Sequence, residues 1–153
     1  MIATKSPFIL RNFLLLKQNV EIIPPEKEDI TNISEIIDSY DIDIDFTIQN
    51  SQIPFHQIFV KIEINLTAPK KSGYAIFSEG VGIFEFDNSV ELTEKDIHNY
   101  LHFSGISICI NSLRSIISNV TAHCPFGKYS LPSIDLTQLV NDKINKNENK
   151  ESK

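Results

Sequence analysis

His98 and His102 stand four residues apart, the spacing that sets two imidazoles on one face of a helix and lets them share a metal ion. The residues between them, Asn99-Tyr100-Leu101, hold no general-base glutamate, and no third ligand is evident, so the pair is expected to be surface or packed histidines. His123 and Cys124 are adjacent rather than spaced, and Cys109 could approach them only through the fold, which makes a nucleophile pair a poor reading. The 5 glycines form no Gly-x-Gly-x-x-Gly and no Gly-Lys-Ser/Thr, so nothing cradles a phosphate. The N-x-S/T triplets at Asn32, Asn65 and Asn119 are about as frequent as this Asn- and Ser-rich composition yields by chance. The expectation is a protein that is not an enzyme, with no metal and no cofactor.

The aromatic residues carry more information. There are 10 Phe and no Trp. They fall on apparent strands (Phe46, Phe55, Phe59, Phe77, Phe84, Phe86) and in a connection late in the chain (Phe126, Tyr129). Core packing is the ordinary use of each. A small single-sheet domain has a limited interior, however, and a surplus of apolar side chains points to oligomerisation or an exposed groove.

The elements that would position these residues follow from periodicity. Residues 13–23 read as a first strand ended by Pro24-Pro25, and residues 26–39 as a polar connector. Residues 41–48 alternate, with Ile42, Ile44, Phe46 and Ile48 on one face and Asp41, Asp43, Asp45 and Thr47 on the other. Asn50-Ser51-Gln52 make a turn. Residues 55–68 alternate again, with Ile58, Val60, Ile62, Ile64 and Leu66 inward and Lys61, Glu63, Asn65 and Thr67 outward. Pro69 to Gly73 form a hairpin loop with Gly73 free to take positive φ, and residues 74–86 a fourth strand with a bulge expected at Gly80 and Gly82. Thr93 and Asp96 resemble a capping box that opens a short helix with Ile97, Tyr100 and Leu101. From residue 105 the stripe Ile106, Cys109, Leu113, Ile116 and Val120 marks a long amphipathic helix, and it is broad enough to suggest burial against a second copy. Residues 123–127 break that helix. A last helix spans 135–145, with Leu136, Leu139, Val140 and Ile144. Four strands followed by helices make an α+β fold, a four-stranded antiparallel sheet with helices packed on one face. Residues 1–145 are expected to form a single domain and 146–153 a disordered polar tail.

The 153 residues suit one domain, and Ile, Leu, Val and Phe make up about a third of them, ample for a core. No apolar run approaches the ~20 residues that cross a bilayer, and the N-terminus lacks a secretory h-region, so a cytoplasmic protein without membrane insertion is expected. The 2 cysteines are too few for a disulfide framework. The net charge of −6 is concentrated in residues 21–45 and 79–96. Such an acidic chain repels nucleic acid, whose binding draws on Lys and Arg, and favours a basic or apolar partner.

The stretch from Ile58 to Val140 resembles the SecB family of protein-export chaperones. It has a long strand, a hairpin, an aromatic strand containing Gly82-Ile83-Phe84, a helix with Arg114, a crossover and a final helix. From Arg114 the likeness runs without a gap through Phe126, Leu131-Pro132, Ile134-Asp135-Leu136 and Leu139, and Asp41 to Asp45 extends it upstream. Residues 109–114, Cys-Ile-Asn-Ser-Leu-Arg, stand where the family often has Leu-Phe-Pro-Tyr-Ala-Arg. Gly127 replaces a usual Pro, and Asp135-Leu136 replaces Asn-Phe. These departures set the chain apart from the main housekeeping branch.

The resemblance implies an ATP-independent holdase, a homotetramer built as a dimer of dimers, which binds unfolded preproteins in apolar grooves and delivers them to the export machinery. The alternative is a SecB-like chaperone dedicated to one client, such as an antitoxin of a toxin–antitoxin system. By position, the client-binding residues would be Ile42, Ile44, Phe46, Phe126, Tyr129, Leu136 and Leu139. Phe77, Glu79 and Glu85 would face the translocase motor SecA, with the Asp41, Asp43 and Asp45 row extending that surface.

Overall fold

The computed structural model describes residues 2–27, 29–50 and 54–151. Strands β1 (Phe8–Ile23), β2 (Ile42–Asn50), β3 (Phe55–Ile64) and β4 (Gly73–Phe86) form one antiparallel sheet in the order β1-β4-β3-β2. A short helix, α1 (Ile33–Asp38), precedes β2. Helix α2 (Glu94–Asn99) continues through a π-helical turn (Tyr100–Gly105) into α3 (Ile106–Thr121), and α4 (Leu136–Glu151) follows the crossover. The expected α+β architecture is therefore present, with the helices on one face.

Alternation in β3 explains which face. Ile58, Val60, Ile62 and Ile64 are fully buried, whereas Phe59, Lys61 and Glu63 between them are only half covered. Against that apolar row pack Ile106, Cys109, Ile110, Leu113 and Ile117 of α3. One sheet thus covers most of the helical stripe expected to need a second copy. Only Val120, 40% exposed, projects well clear. Close approach requires glycine at two places. A Cβ at Gly105 would lie 2.3 Å from Ile58 Cδ1, and one at Gly82 would lie 2.6 Å from Cys109 Sγ.

Several boundaries differ from expectation for identifiable reasons. β1 begins at Phe8, because pairing with β4 extends it past the irregular Arg11-Asn12. The bulges lie in β1, between Leu10 and Asn12 and between Leu15 and Lys17, while β4 keeps an unbroken register with β3. Gly80 sits opposite the second bulge instead of forming one. The polar connector contains α1, whose Ile36 and Ile37 pack on the core. β3 ends at Ile64, since Asn65 takes φ 54° and turns inward. Its buried amide donates to the carbonyls of Lys71 (2.8 Å) and Tyr74 (2.6 Å) and accepts from Lys71 N–H (2.9 Å), so a residue expected to face outward closes the β3–β4 connection. Gly73 has the expected positive φ, 106°. The capping box is complete, with Thr93 Oγ1 and the Asp96 carboxylate each meeting the other's backbone N–H. The backbone of α4 runs on to Glu151, past the expected fade at Asn145. Residues 51 and 52 of the expected turn lie outside the described residues.

Candidate functional site

β2 is an edge strand. Its even residues turn toward the helical side of the sheet, and there α4 lies beside it. Between them opens a cleft of about 430 Å³, with Ile42, Ile44 and Phe46 from β2 on one wall and Ile134 and Leu139 on the other. A second cleft, of about 380 Å³, continues beside Ile48, His102, Val140 and Ile144. Phe46 and Lys143 line both. The Lys143 ammonium meets Asp45 Oδ1 at 2.5 Å and lies 5.8 Å from the Phe46 ring centroid. Burial pushes the Asp45 carboxyl upward, but the hydrogen bond and charge of Lys143, with the Phe46 N–H, more than offset it and hold the group below its ordinary range.

Of the residues expected to hold a client, this groove gathers Ile42, Ile44, Phe46 and Leu139. The other three lie elsewhere. Phe126 stands edge-on to Tyr74 at 5.5 Å, and its N–H donates to the Tyr74 hydroxyl (3.0 Å). Tyr129 is buried against Tyr40 at 6.1 Å, its N–H bound to Thr121 Oγ1 (2.8 Å), and burial pushes its phenol up to about 12. Leu136 borders a separate cleft with Ile110 and Arg114. Sequence reasoning missed Lys143 and Ile134. Lys143 follows Leu139 by four residues on one helical face, a signal that could have placed it at the groove; its partner Asp45, far away in the chain, could not be read that way.

The open face of the sheet carries Phe77, Glu79 and Glu85. Lys17 lies over the Phe77 ring at 5.0 Å. Glu79 stands between Lys61 on β3 and Lys17 on β1 in the strand register. Glu85 is ion-paired with Arg11, whose hydrogen bond lowers its carboxyl below the usual value. Glu63 pairs with Lys61 (3.3 Å), and Asp41 accepts from Thr67 Oγ1 (2.6 Å). Glu85 and Glu63 on this face are thus ion-paired with bases of the same chain, and Glu79 has basic neighbours on both adjoining strands.

The residues considered first for chemistry do not converge. His98 and His102 stack at 3.9 Å, with His102 Nδ1 3.0 Å from the His98 carbonyl. No group of three or more His, Cys, Asp or Glu suited to a metal occurs among the described residues. Cys109 is fully buried, and burial raises its thiol to about 12. No helix among the described residues is long and apolar enough to cross a membrane.

No family model matches the chain. Two curated sequences named Protein-export protein SecB, from Wolbachia sp. subsp. Drosophila simulans (strain wRi) and Wolbachia pipientis wMel, are each 30% identical to it over 95 residues. The match covers 59% of this chain, which spans 57% of the length of those relatives. Among solved structures, a Mycobacterium tuberculosis SecB-like chaperone in complex with a ChAD peptide from the HigA1 antitoxin superposes with a TM-score of 0.61 at 12% identity, covering 84% of this chain and 91% of that one. For the present chain that likeness gives the fold. In sequence across the matched segment the chain is similar to these SecB proteins, and in fold across most of its length it is similar to the SecB-like chaperone.

Proposed function

We propose that this protein is an ATP-independent chaperone that holds unfolded polypeptide in the groove between β2 and α4. The observation that carries the reading is the apolar row Ile42, Ile44, Phe46 and Leu139 in that groove, which also bears Asp43, Asp142, Lys143 and Lys146, beside an edge strand in a SecB-like fold. Such a groove buries extended apolar segments at ~25 cal/mol per Å² before ordering costs, a term indifferent to client sequence. Holding needs no bond chemistry, which suits a non-catalytic role in the cytoplasm. Assembly as a tetramer belongs to the same reading. Leu14, Leu15 and Leu16 on edge strand β1 are 43%, 44% and 51% exposed, an apolar strip that a second copy would cover.

The test is light scattering of an aggregating unfolded client without ATP. The wild-type chain should suppress aggregation, and Ile42→Ser with Ile44→Ser should weaken suppression more than it lowers the melting temperature. Failure of the wild-type chain at several-fold excess rejects the reading.

The dedicated-client alternative draws support from the open face. A basic SecA tail would need free carboxylates, yet Glu85 is taken by Arg11 and Glu79 is flanked by Lys17 and Lys61. Calorimetry with the host SecA tail separates the two. Binding that weakens with salt and with Glu79→Lys supports general export, whereas no binding by the wild-type chain supports a single client.

A further inference from the structure

The groove has an edge as well as an apolar floor. Asn65 N–H donates to the Asp41 carbonyl at 2.9 Å, which makes that pair a hydrogen-bonded one. In an antiparallel ladder such pairs alternate with pairs that exchange no bonds. By the register of β2 with β3, the latter are Ile42↔Ile64, Ile44↔Ile62, Phe46↔Val60 and Ile48↔Ile58. The main-chain groups of Ile42, Ile44, Phe46 and Ile48 therefore point away from β3, to the rim of the sheet, where no further strand pairs among the described residues. An edge of this kind can take one more strand through its main chain.

At Phe46 that edge is stopped. The Phe46 N–H donates to Asp45 Oδ1 at 2.9 Å, and the same oxygen accepts from Lys143 Nζ at 2.5 Å. Because Phe46 and Lys143 are shared by both clefts, the Lys143 side chain and its carboxylate partner form a partition across one groove that runs from Ile42 to Ile48. About half of the Asp45 side chain faces water, and ion pairs so exposed are weak enough for a ligand to displace.

Resting on the holding reading above, we propose that Asp45 and Lys143 form a plug on the β2 edge. An extended client segment displaces it on joining β2 as a fifth strand. A client carbonyl then takes the Phe46 N–H from Asp45, and alternate apolar side chains of the client enter the two clefts. Crossing from Ile42 to Ile48 takes about seven residues at ~3.3 Å each. Segments that fill one cleft leave the plug in place, so the groove selects for length.

The experiment is calorimetric titration of the full chain with reduced, carboxymethylated α-lactalbumin, a permanently unfolded probe, together with amide hydrogen exchange at Phe46. Asp45→Ala should tighten binding about three- to tenfold, the worth of one hydrogen bond no longer displaced. Asp45→Asn keeps an acceptor oxygen beside the Phe46 N–H and should tighten it less. Exchange at Phe46 should slow when the probe binds. Should Asp45→Ala fail to fold by circular dichroism, Lys143→Met takes its place with a gain in the same direction. Equal or weaker binding by the folded variants, or Phe46 exchange unaffected by bound probe, overturns the plug while leaving the holding reading intact. Absence of binding by the wild-type chain and the variants alike removes both.

Discussion

Cys109 and Cys124 carry the same thiol in opposite settings. Cys109 lies wholly inside, with Sγ 3.7 Å from the Ile58 carbonyl, and its ionisation is pushed up to about 12 by burial. Cys124 is half-buried just beyond α3. Since the thiolate is the reactive form, a thiol reagent at pH 8 should titrate one cysteine in the native protein and both in denaturant. A native count of two at the same rate would place Cys109 in an open environment. The raised ionisation also sets a direction. The neutral thiol favours the fold fully below its ordinary value of 9.0, and that contribution drains away as pH rises toward about 12, so alkaline melts should shift downward through this window. Gly82→Ala drives a methyl to 2.5 Å from the Phe84 ring and 2.6 Å from Cys109 Sγ, and should cost ~1–3 kcal/mol by urea denaturation. At this scale the sequence was partly legible. Burial of Ile58, Val60, Ile62 and Ile64 follows from alternation alone. The inward turn of Asn65 does not, because it depends on carbonyls of the returning strand.

Among the elements, those with long regular patterns stand where the sequence puts them, and those defined by a distant partner do not. β2 alternates over its length and α3 repeats at three and four, and both stand where the pattern put them. α1 has only six residues, too few for its period to emerge from a polar stretch. Glycine marks flexibility within its own strand, so the sequence points to bulges at the glycines of β4; the extra residues sit in β1, where nothing local announces them. The groove was half legible for the same reason: Ile42, Ile44 and Leu139 carry local apolar signals, while the Asp45–Lys143 pair joins β2 to α4 only through the fold. The complete capping box at α2 gives a simple test, for Thr93→Ala should lower stability by ~1 kcal/mol in chemical denaturation. The hold of α4 on β2 should depend on acid. Asp45 ionises below its ordinary 3.8, so its contribution is present above that value and is lost as pH falls through the lowered one. Hydrogen exchange in α4 should accelerate below about pH 4 ahead of that in β3 and β4. Simultaneous acceleration would mean that α4 is held by something other than this carboxylate.

For the whole molecule, the surface proposed for assembly lies on the sheet edge and not on the helix. Leu113 is fully buried in the chain's own core, so an Asp there would unfold the protomer and say little about partners. Leu15→Asp on the exposed part of β1 is the better probe. Sedimentation at micromolar concentration should show a tetramer for the wild-type chain and smaller species for this variant, with its circular dichroism retained. A wild-type chain that sediments as a monomer ends the proposal. Nothing in β1 itself indicated that its partner would be β4, because the pairing skips two strands in chain order.

That skipped pairing has a consequence during synthesis. β1 emerges first from the ribosome, yet its partner β4 is complete only at Phe86. At ~5–20 residues per second the strand must wait for several seconds with Leu14-Leu15-Leu16 unpaired and in water. Until β4 arrives, the nascent chain is itself an extended apolar segment of the kind its finished groove is proposed to hold. On the holding reading, newly made copies would compete with clients for the grooves of older ones, and folding yield in a cell-free translation should rise when mature protein is supplied beforehand.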